Sequence, residues 1–195
     1  NATVTLGAHN ILAPEMTQRV QGVVRYHPHP EYNPDTVSND IMLLKARRSR
    51  SGSSGAVAFS KNPAFSQLTA KATLNDYVKT IPLPKTSSDI PTGTKCSIAG
   101  WGMIDNDQAT NRLFEAEVSI YSRRKCIRFY PHLSTGMGCA GSFHELRDSS
   151  QGDSGGPLVC RKVAQGIVSF GHHSPPGVYT HISNYLPWIK KIMKK

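Results

Sequence analysis

Short apolar runs separated by turn-forming residues dominate this chain. Ala2 to Ala8 and Val20 to Tyr26 have β-branched, partly alternating character, and Ile41 to Leu44 is a continuous apolar run; all three predict strands. Thr94 to Gly100, Phe114 to Tyr121, Met137 to Ala140, Pro157 to Val159, Val163 to Ser169 and Gly177 to His181 predict a second group of strands. The period changes only at the C-terminus. There Tyr185, Trp188, Ile189, Ile192 and Met193 share one helical face, with Lys190, Lys191, Lys194 and Lys195 towards the other. That pattern predicts a docked terminal helix with a solvated basic face, in preference to a helix lying on a membrane.

The segments between these runs are loops. His27-Pro28-His29-Pro30 and Tyr32-Asn33-Pro34 form a proline-punctuated stretch. Two histidines there invite a metal reading, but no acidic or cysteine cluster accompanies them, and they are expected to be exposed turn residues. Asn75 to Pro91 reads as a connection between halves. Ala46 to Gln67, led by Arg47-Arg48-Ser49-Arg50-Ser51-Gly52-Ser53-Ser54-Gly55, has the composition of a flexible linker. It is expected to be a disordered insertion, with a basic exosite as the competing reading.

Composition narrows the class. With 195 residues, 38% of them hydrophobic, the chain can bury a real core and is too apolar for wholesale disorder. Its 16 Gly and 13 Pro suit a turn-rich all-β protein. No apolar run approaches the length of a membrane span, and no signal-like segment opens the sequence. Asn1-Ala2-Thr3 is a glycosylation acceptor by pattern alone. The net charge of +10, and a stretch from Gly155 onward with basic residues and no acidic one, favour polyanionic partners. No nucleic-acid-binding motif is present. Four cysteines allow three pairings, among which the sequence does not choose, and no Cys-x-x-Cys pair supports zinc.

The chemistry concentrates in Ser150-Gln151-Gly152-Asp153-Ser154-Gly155-Gly156-Pro157. Glycines around Ser154 permit a tight turn that presents its hydroxyl while aiming nearby N–H groups at one point, a nucleophile beside an oxyanion hole. An α/β-hydrolase would need an acid downstream of the serine. No Asp or Glu occurs from Gly155 to Lys195, so that architecture is excluded.

Gly152-Asp153-Ser154-Gly155-Gly156-Pro157 resembles the active-serine motif of the chymotrypsin/trypsin family. Ser38-Asn39-Asp40-Ile41-Met42-Leu43-Leu44 resembles its aspartate segment, and Cys96-Ser97-Ile98-Ala99-Gly100-Trp101-Gly102 its Gly-Trp-Gly turn. Ile167-Val168-Ser169-Phe170-Gly171, Pro176-Gly177-Val178-Tyr179-Thr180 and Trp188-Ile189 complete the similarity in the family's order. The resemblance implies one protease domain over 1–195, built as two antiparallel Greek-key β-barrels and a C-terminal helix. Residues 1–90 would be the remnant of an incomplete first barrel, and 91–195 the second barrel and helix. It implies disulfides Cys96–Cys160 and Cys126–Cys139, hence a secreted or granule location.

By resemblance Ser154 is the nucleophile, Asp40 orients a histidine, and the N–H groups of Gly152 and Ser154 form the oxyanion hole. Asp148, six positions before Ser154, matches the pocket floor that selects Arg or Lys. Ser149, Ser169, Gly171 and Gly177 would line the substrate site, with the two glycines as pocket walls. No cofactor is implied. The missing Ser150-position cysteine bridge, with His9-Asn10-Ile11 and Val163 to Ser169, resembles the granzyme and mast-cell protease branch. One part has no match: no Ala-Ala-His-Cys-like segment precedes Asp40, where the candidates are His9, His27 and His29. The resemblance therefore implies a chain that begins beyond its catalytic histidine and is inactive as written. Asp153, without an Ile-Val-Gly-Gly-like N-terminus, is expected to lose its ammonium partner, and its loop to relax or stay solvated. The resemblance to granule proteases also implies heparin-like polyanions as partners, and the alternative is a non-enzymatic basic homologue that binds them.

Overall fold

The computed structural model describes residues 3–45, 56–59, 72–87, 90–104, 108–142, 153–171 and 176–194. The N-terminal half begins with β1 (Thr3–Leu6) paired antiparallel to β2 (Arg19–Gly22). The predicted strand Val20 to Tyr26 is broken at Val23, whose side chain turns wholly inward, and β3 (Arg25–Pro28) belongs to a different sheet. There it pairs with β4 (Met42–Lys45), with His27 opposite Leu43. The third strand of that sheet, β5 (Ala56–Phe59), falls inside the segment expected to be a disordered insertion. The expectation fails at those four residues: β4 offers an unpaired edge, and an Ala-Val-Ala-Phe stretch can satisfy it. The rest of 46–67 lies outside the described residues. These strands form two separate sheets and no closed barrel. Leu12, Met16 and Val20 are left largely exposed beside β1 and β2.

The second half closes. Its strands are β6 (Lys95–Gly100), β9 (Phe114–Ile120), β10 (Met137–Gly141), β11 (Pro157–Cys160), β12 (Val163–Phe170) and β13 (Gly177–His181). They join as a closed barrel in the order β10-β13-β12-β11-β6-β9. The small hairpin of β7 (Met103–Ile104) and β8 (Gln108–Ala109) extends from it. Alternation along β6 sends Cys96 and Ile98 inward and Lys95 outward. Inside, they pack with Val118, Ile120, Ala140, Leu158, Cys160, Val168 and Tyr179. Each fully buried aliphatic side chain is worth roughly 1.5–3 kcal/mol of transfer free energy.

A second cluster decides where the halves meet. Ile41 and Leu43 from the Asp40 segment pack with Ala164 and Ile167 of β12, and with Ile182, Tyr185, Leu186 and Ile189 near the C-terminus. The last four belong to a 3-10 turn, Ile182–Tyr185, and to helix α2 (Leu186–Met193). Lys190 and Lys191 in the last turn of α2 suit the negative end of its dipole. Met193 is half exposed, not on the buried face as its spacing predicts, because the helix ends there and Leu186 and Ile189 make the contact.

Helix α1 (Arg123–Phe129) carries no clear sequence signal. Seven residues are too few to hold a helix alone. Ser122 caps it by accepting the Lys125 N–H at 3.2 Å, Arg123 donates to the carbonyls of Leu133, Ser134 and Met137, and the Cys126–Cys139 disulfide ties it to β10. The other disulfide is Cys96–Cys160, so both implied pairings are present.

The β11–β12 hairpin turns on Arg161 and Lys162, with φ of 51° and 64°. Side chains at both left-handed positions of such a turn are strained, and glycine is favoured at the second. Replacing Lys162 by Gly is expected to raise stability by about 0.5–1 kcal/mol, since relief of strain exceeds the added backbone entropy. A thermal midpoint about 1–4 °C higher would show it; an unchanged or lower midpoint would contradict it.

Candidate active site

Ser154 stands exposed at the tip of a turn that is fastened to β12 by its glycines. Gly155 has φ of +90°, a conformation L side chains rarely adopt, and its N–H donates to the Val168 carbonyl at 2.8 Å. The Gly156 N–H donates to the Asp153 carbonyl at 2.8 Å, and the Gly156 carbonyl accepts the Val168 N–H at 2.9 Å. A Cβ on Gly156 would meet the Asp153 and Ala99 carbonyl oxygens at 2.9 and 3.0 Å. The turn is thus clamped to Val168 on both sides.

Asp40 is buried, 3% exposed. Its carboxylate accepts the Ser169 hydroxyl at 2.6 Å, and its backbone carbonyl accepts the Thr180 hydroxyl at 2.9 Å. Successive residues of one strand therefore hold the two chemical groups: Val168 the serine turn, Ser169 the aspartate. Ser169, expected to line the substrate site, spends its side chain on Asp40. Burial, and secondarily the charge of Asp40, pushes the Tyr185 hydroxyl up to about 12 and raises Tyr32 as well. Both hydroxyls stay protonated at neutral pH.

Gly171 and Gly177 face each other. A Cβ on Gly171 would lie 3.3 Å from the Gly177 Cα, so side chains here would fill the space between β12 and β13. Buried Tyr130 braces the same edge by donating to the Pro176 carbonyl at 2.7 Å. Asp148, Ser149 and Gly152, the expected pocket floor, its neighbour and half of the oxyanion hole, lie outside the described residues.

Asp153 differs from expectation. Its half-buried carboxylate accepts the Gly102 N–H at 2.8 Å and sits against Gly100 and Gly102, where any Cβ would collide with it. The Gly-Trp-Gly turn thus provides a backbone donor and the room to reach it, which offsets part of the cost of desolvation.

The three histidines before Asp40 are dispersed. His9 is exposed; its N–H donates to the Glu15 carboxylate at 2.7 Å, and its carbonyl accepts the Trp101 indole N–H at 2.9 Å. That backbone donation holds Glu15 below the usual carboxylate range. His27 lies in the β3–β4 ladder. His29 packs its ring 5.3 Å from Tyr185 and 5.0 Å from Trp188, and burial lowers its pKa against the opposing charge of Glu31. Neither His27 nor His29 is an exposed turn residue: both are half-buried, His27 within β3 and His29 against Tyr185 and Trp188. Among the described residues no group of three or more His, Cys, Asp or Glu is placed to hold a metal. No helix among them is long and apolar enough to cross a membrane.

Thr180 and Tyr185 were not marked by sequence as site residues. Thr180 sits in a strand buried at every position, and Tyr185 reads only as part of an apolar face. Their roles depend on distant partners: Thr180 bonds to Asp40, 140 positions away, and Tyr185 to the neighbouring Asn39, 146 positions away.

A closed antiparallel barrel whose strand β12 pins an exposed serine turn and a buried aspartate defines a chymotrypsin-fold serine protease. The chain matches the Trypsin family over residues 1–189 and belongs to it. It is 43% identical to Duodenase-1 of Bos taurus, over 98% of this chain and 69% of that protein. It is 40% identical to Cathepsin G of Mus musculus, over 98% of this chain and 66% of that protein. A solved structure described as "Structure of GrC" superposes with a TM-score of 0.81 at 34% identity, covering 99% of this chain and 78% of that one.

Proposed function

We infer that the protein is an endopeptidase that cuts after Arg or Lys, with Ser154 as nucleophile and Asp40 as the carboxylate that orients an imidazole. The observation that carries this reading is the pair of ties from Val168 and Ser169 to the serine turn and to Asp40. Asp148 supplies the preference for a basic side chain by its position in the sequence, and Gly171 and Gly177 leave room for it. Peptides and proteins with exposed basic residues are the substrates, in a secreted or granule setting that keeps both disulfides oxidised.

These 195 residues contain no Ala-Ala-His-Cys-like segment, and His9 and His29 are held elsewhere. The polypeptide by itself is therefore inactive at neutral pH, for want of a base to take the Ser154 proton. The test is labelling with a fluorophosphonate, in which the Ser154 oxygen bonds phosphorus, fluoride leaves and a base takes the proton. Labelling without added base is expected to be negligible. Added imidazole is expected to raise it at least about a hundredfold, in line with general-base catalysis. Ser154→Ala is expected to abolish it. Rapid labelling without imidazole would sink the claim of inactivity. No labelling under any condition would sink the reading of Ser154 as a nucleophile. An imidazole-supported preference for Phe-ended over Arg-ended ester substrates would sink the role of Asp148.

A second reading is favoured by exposed cations. Arg161 and Lys162 project from the β11–β12 turn, and Lys190 and Lys191 of α2 and Lys194 at its C-terminal cap are exposed. A basic homologue of this kind would hold heparin-like chains without cutting anything. Retention on heparin that falls steeply with salt, in a protein that imidazole does not activate, would favour it.

A further inference from the structure

The geometry points to Tyr185 as a positioning residue for Asp40, acting through Asn39; this rests on the reading of Asp40 as the imidazole-orienting carboxylate.

The approach to Asp40 is strained. Val37 and Asn39 have φ of 54° and 56°, left-handed values that are unusual for a non-glycine residue and a true outlier for β-branched valine. Such conformations persist only where the surroundings over-determine them. Most of the ties that do so are local. The Asn33 N–H donates to the Ser38 carbonyl at 3.0 Å, and the Asn33 carboxamide oxygen accepts the N–H groups of Asp35 and Thr36. The Thr36 and Ser38 hydroxyls share a bond of 2.8 Å. The Asn39 carboxamide nitrogen donates to the Glu31 carbonyl at 2.8 Å.

Tyr185 supplies a tie from outside the loop. Its hydroxyl donates to the Asn39 carboxamide oxygen at 3.1 Å across 146 residues. A hydroxyl that stays protonated far above neutral pH is a constant donor, and the Asn39 amide, already donating to Glu31, presents its oxygen to it. Tyr185 itself is fixed: it is buried, its ring meets His29 edge-on, and it belongs to the cluster that holds Ile41 and Leu43. Gly136 clears the path, since a Cβ there would collide with the Tyr185 hydroxyl.

The consequence reaches Asp40 directly. The Asn39 carbonyl accepts the Ile41 N–H at 2.8 Å, closing a tight bend whose middle residue is Asp40. Were Asn39 to relax to a negative φ, that bend would open and the Asp40 side chain would swing from Ser169. Tyr185 therefore fastens the aspartate's backbone to the C-terminal turn, while Ser169 fastens its carboxylate.

Two measurements on the same polypeptide test this. In Tyr185→Phe, amide hydrogen exchange at Ile41 is expected to accelerate about tenfold, the loss of one part-buried hydrogen bond, with Gly155 and Val168 unchanged. In imidazole-supported labelling of Ser154, the same variant is expected to need about tenfold more imidazole for half-maximal rate. Combined with Asp40→Asn it is expected to add nothing, because both act through one group. Unchanged exchange at Ile41, equal acceleration of all amides, or additive losses would overturn the inference. Failure of imidazole to activate the wild-type polypeptide would instead overturn the proposed function, and Ile41 exchange alone would then decide whether Tyr185 holds the loop.

Discussion

Replacing Cys96 and Cys160 together by alanine is expected to lower the free energy of unfolding by about 4 kcal/mol, the largest loss from any change considered for this protein. The bridge spans 64 residues, so breaking it releases a long loop in the unfolded chain. The Cys126–Cys139 bridge spans 13 residues, and the same loop-closure reasoning gives it about 3 kcal/mol. Position reinforces the ranking. Cys96 and Cys160 lie within the barrel cluster, on β6 and β11, which are neighbours in the ring. Losing their sulfurs also leaves a small cavity within that cluster. Urea unfolding followed by tryptophan fluorescence measures both variants. A smaller loss for the Cys96/Cys160 pair than for Cys126/Cys139 would show that loop length is not the governing factor.

The second large effect is expected from Gly100→Ala, with a sign opposite to the usual one. Alanine in place of glycine within a strand ordinarily gains about 0.5–1 kcal/mol. Here the new methyl group would occupy the place of the Asp153 carboxylate, whose bond to the Gly102 N–H would break. Overpacking costs about 1–3 kcal/mol, and a lost hydrogen bond to a charged group adds about 1.5–3 kcal/mol. A net loss of about 3 kcal/mol is expected from these terms together. Asp153 adjoins Ser154, so imidazole-supported labelling should fall as well. Adding Asp153→Ala to Gly100→Ala should cost less than the two separate losses combined, because they disturb one contact. Full additivity would mean that the carboxylate and Gly100 are energetically independent.

Much of the second barrel is legible in the sequence. Alternation in Lys95 to Gly100 placed Cys96 and Ile98 inside, and the glycines around Ser154 announced a tight turn with a presented hydroxyl. Helix α1 was not legible. Arg123 to Phe129 has no amphipathic period, and what makes it helical is a cap from Ser122, a disulfide and an arginine reaching three carbonyls. The strand at Ala56–Phe59 was hidden for a related reason. A short apolar stretch in a Ser/Gly-rich segment becomes a strand only if an edge such as that of β4 is there to pair with it.

The site divides along the same line. The nucleophile and the carboxylate are local matters: Gly-Asp-Ser-Gly-Gly can form its turn from its own residues, and Ser-Asn-Asp before Ile41 marks a polar group at the mouth of a buried run. Local order along a chain says which side chains can do chemistry, because backbone freedom and side-chain type are properties of neighbours. Who holds those side chains was decided in three dimensions. Ser169, Thr180 and Tyr185 meet the Asp40 segment from 129 to 146 residues away, and Gly102 meets Asp153 from 51. Such contacts arise only when barrel closure and the packing of Ile41 and Leu43 against β12 and α2 bring distant strands together, and no spacing within a single segment encodes them.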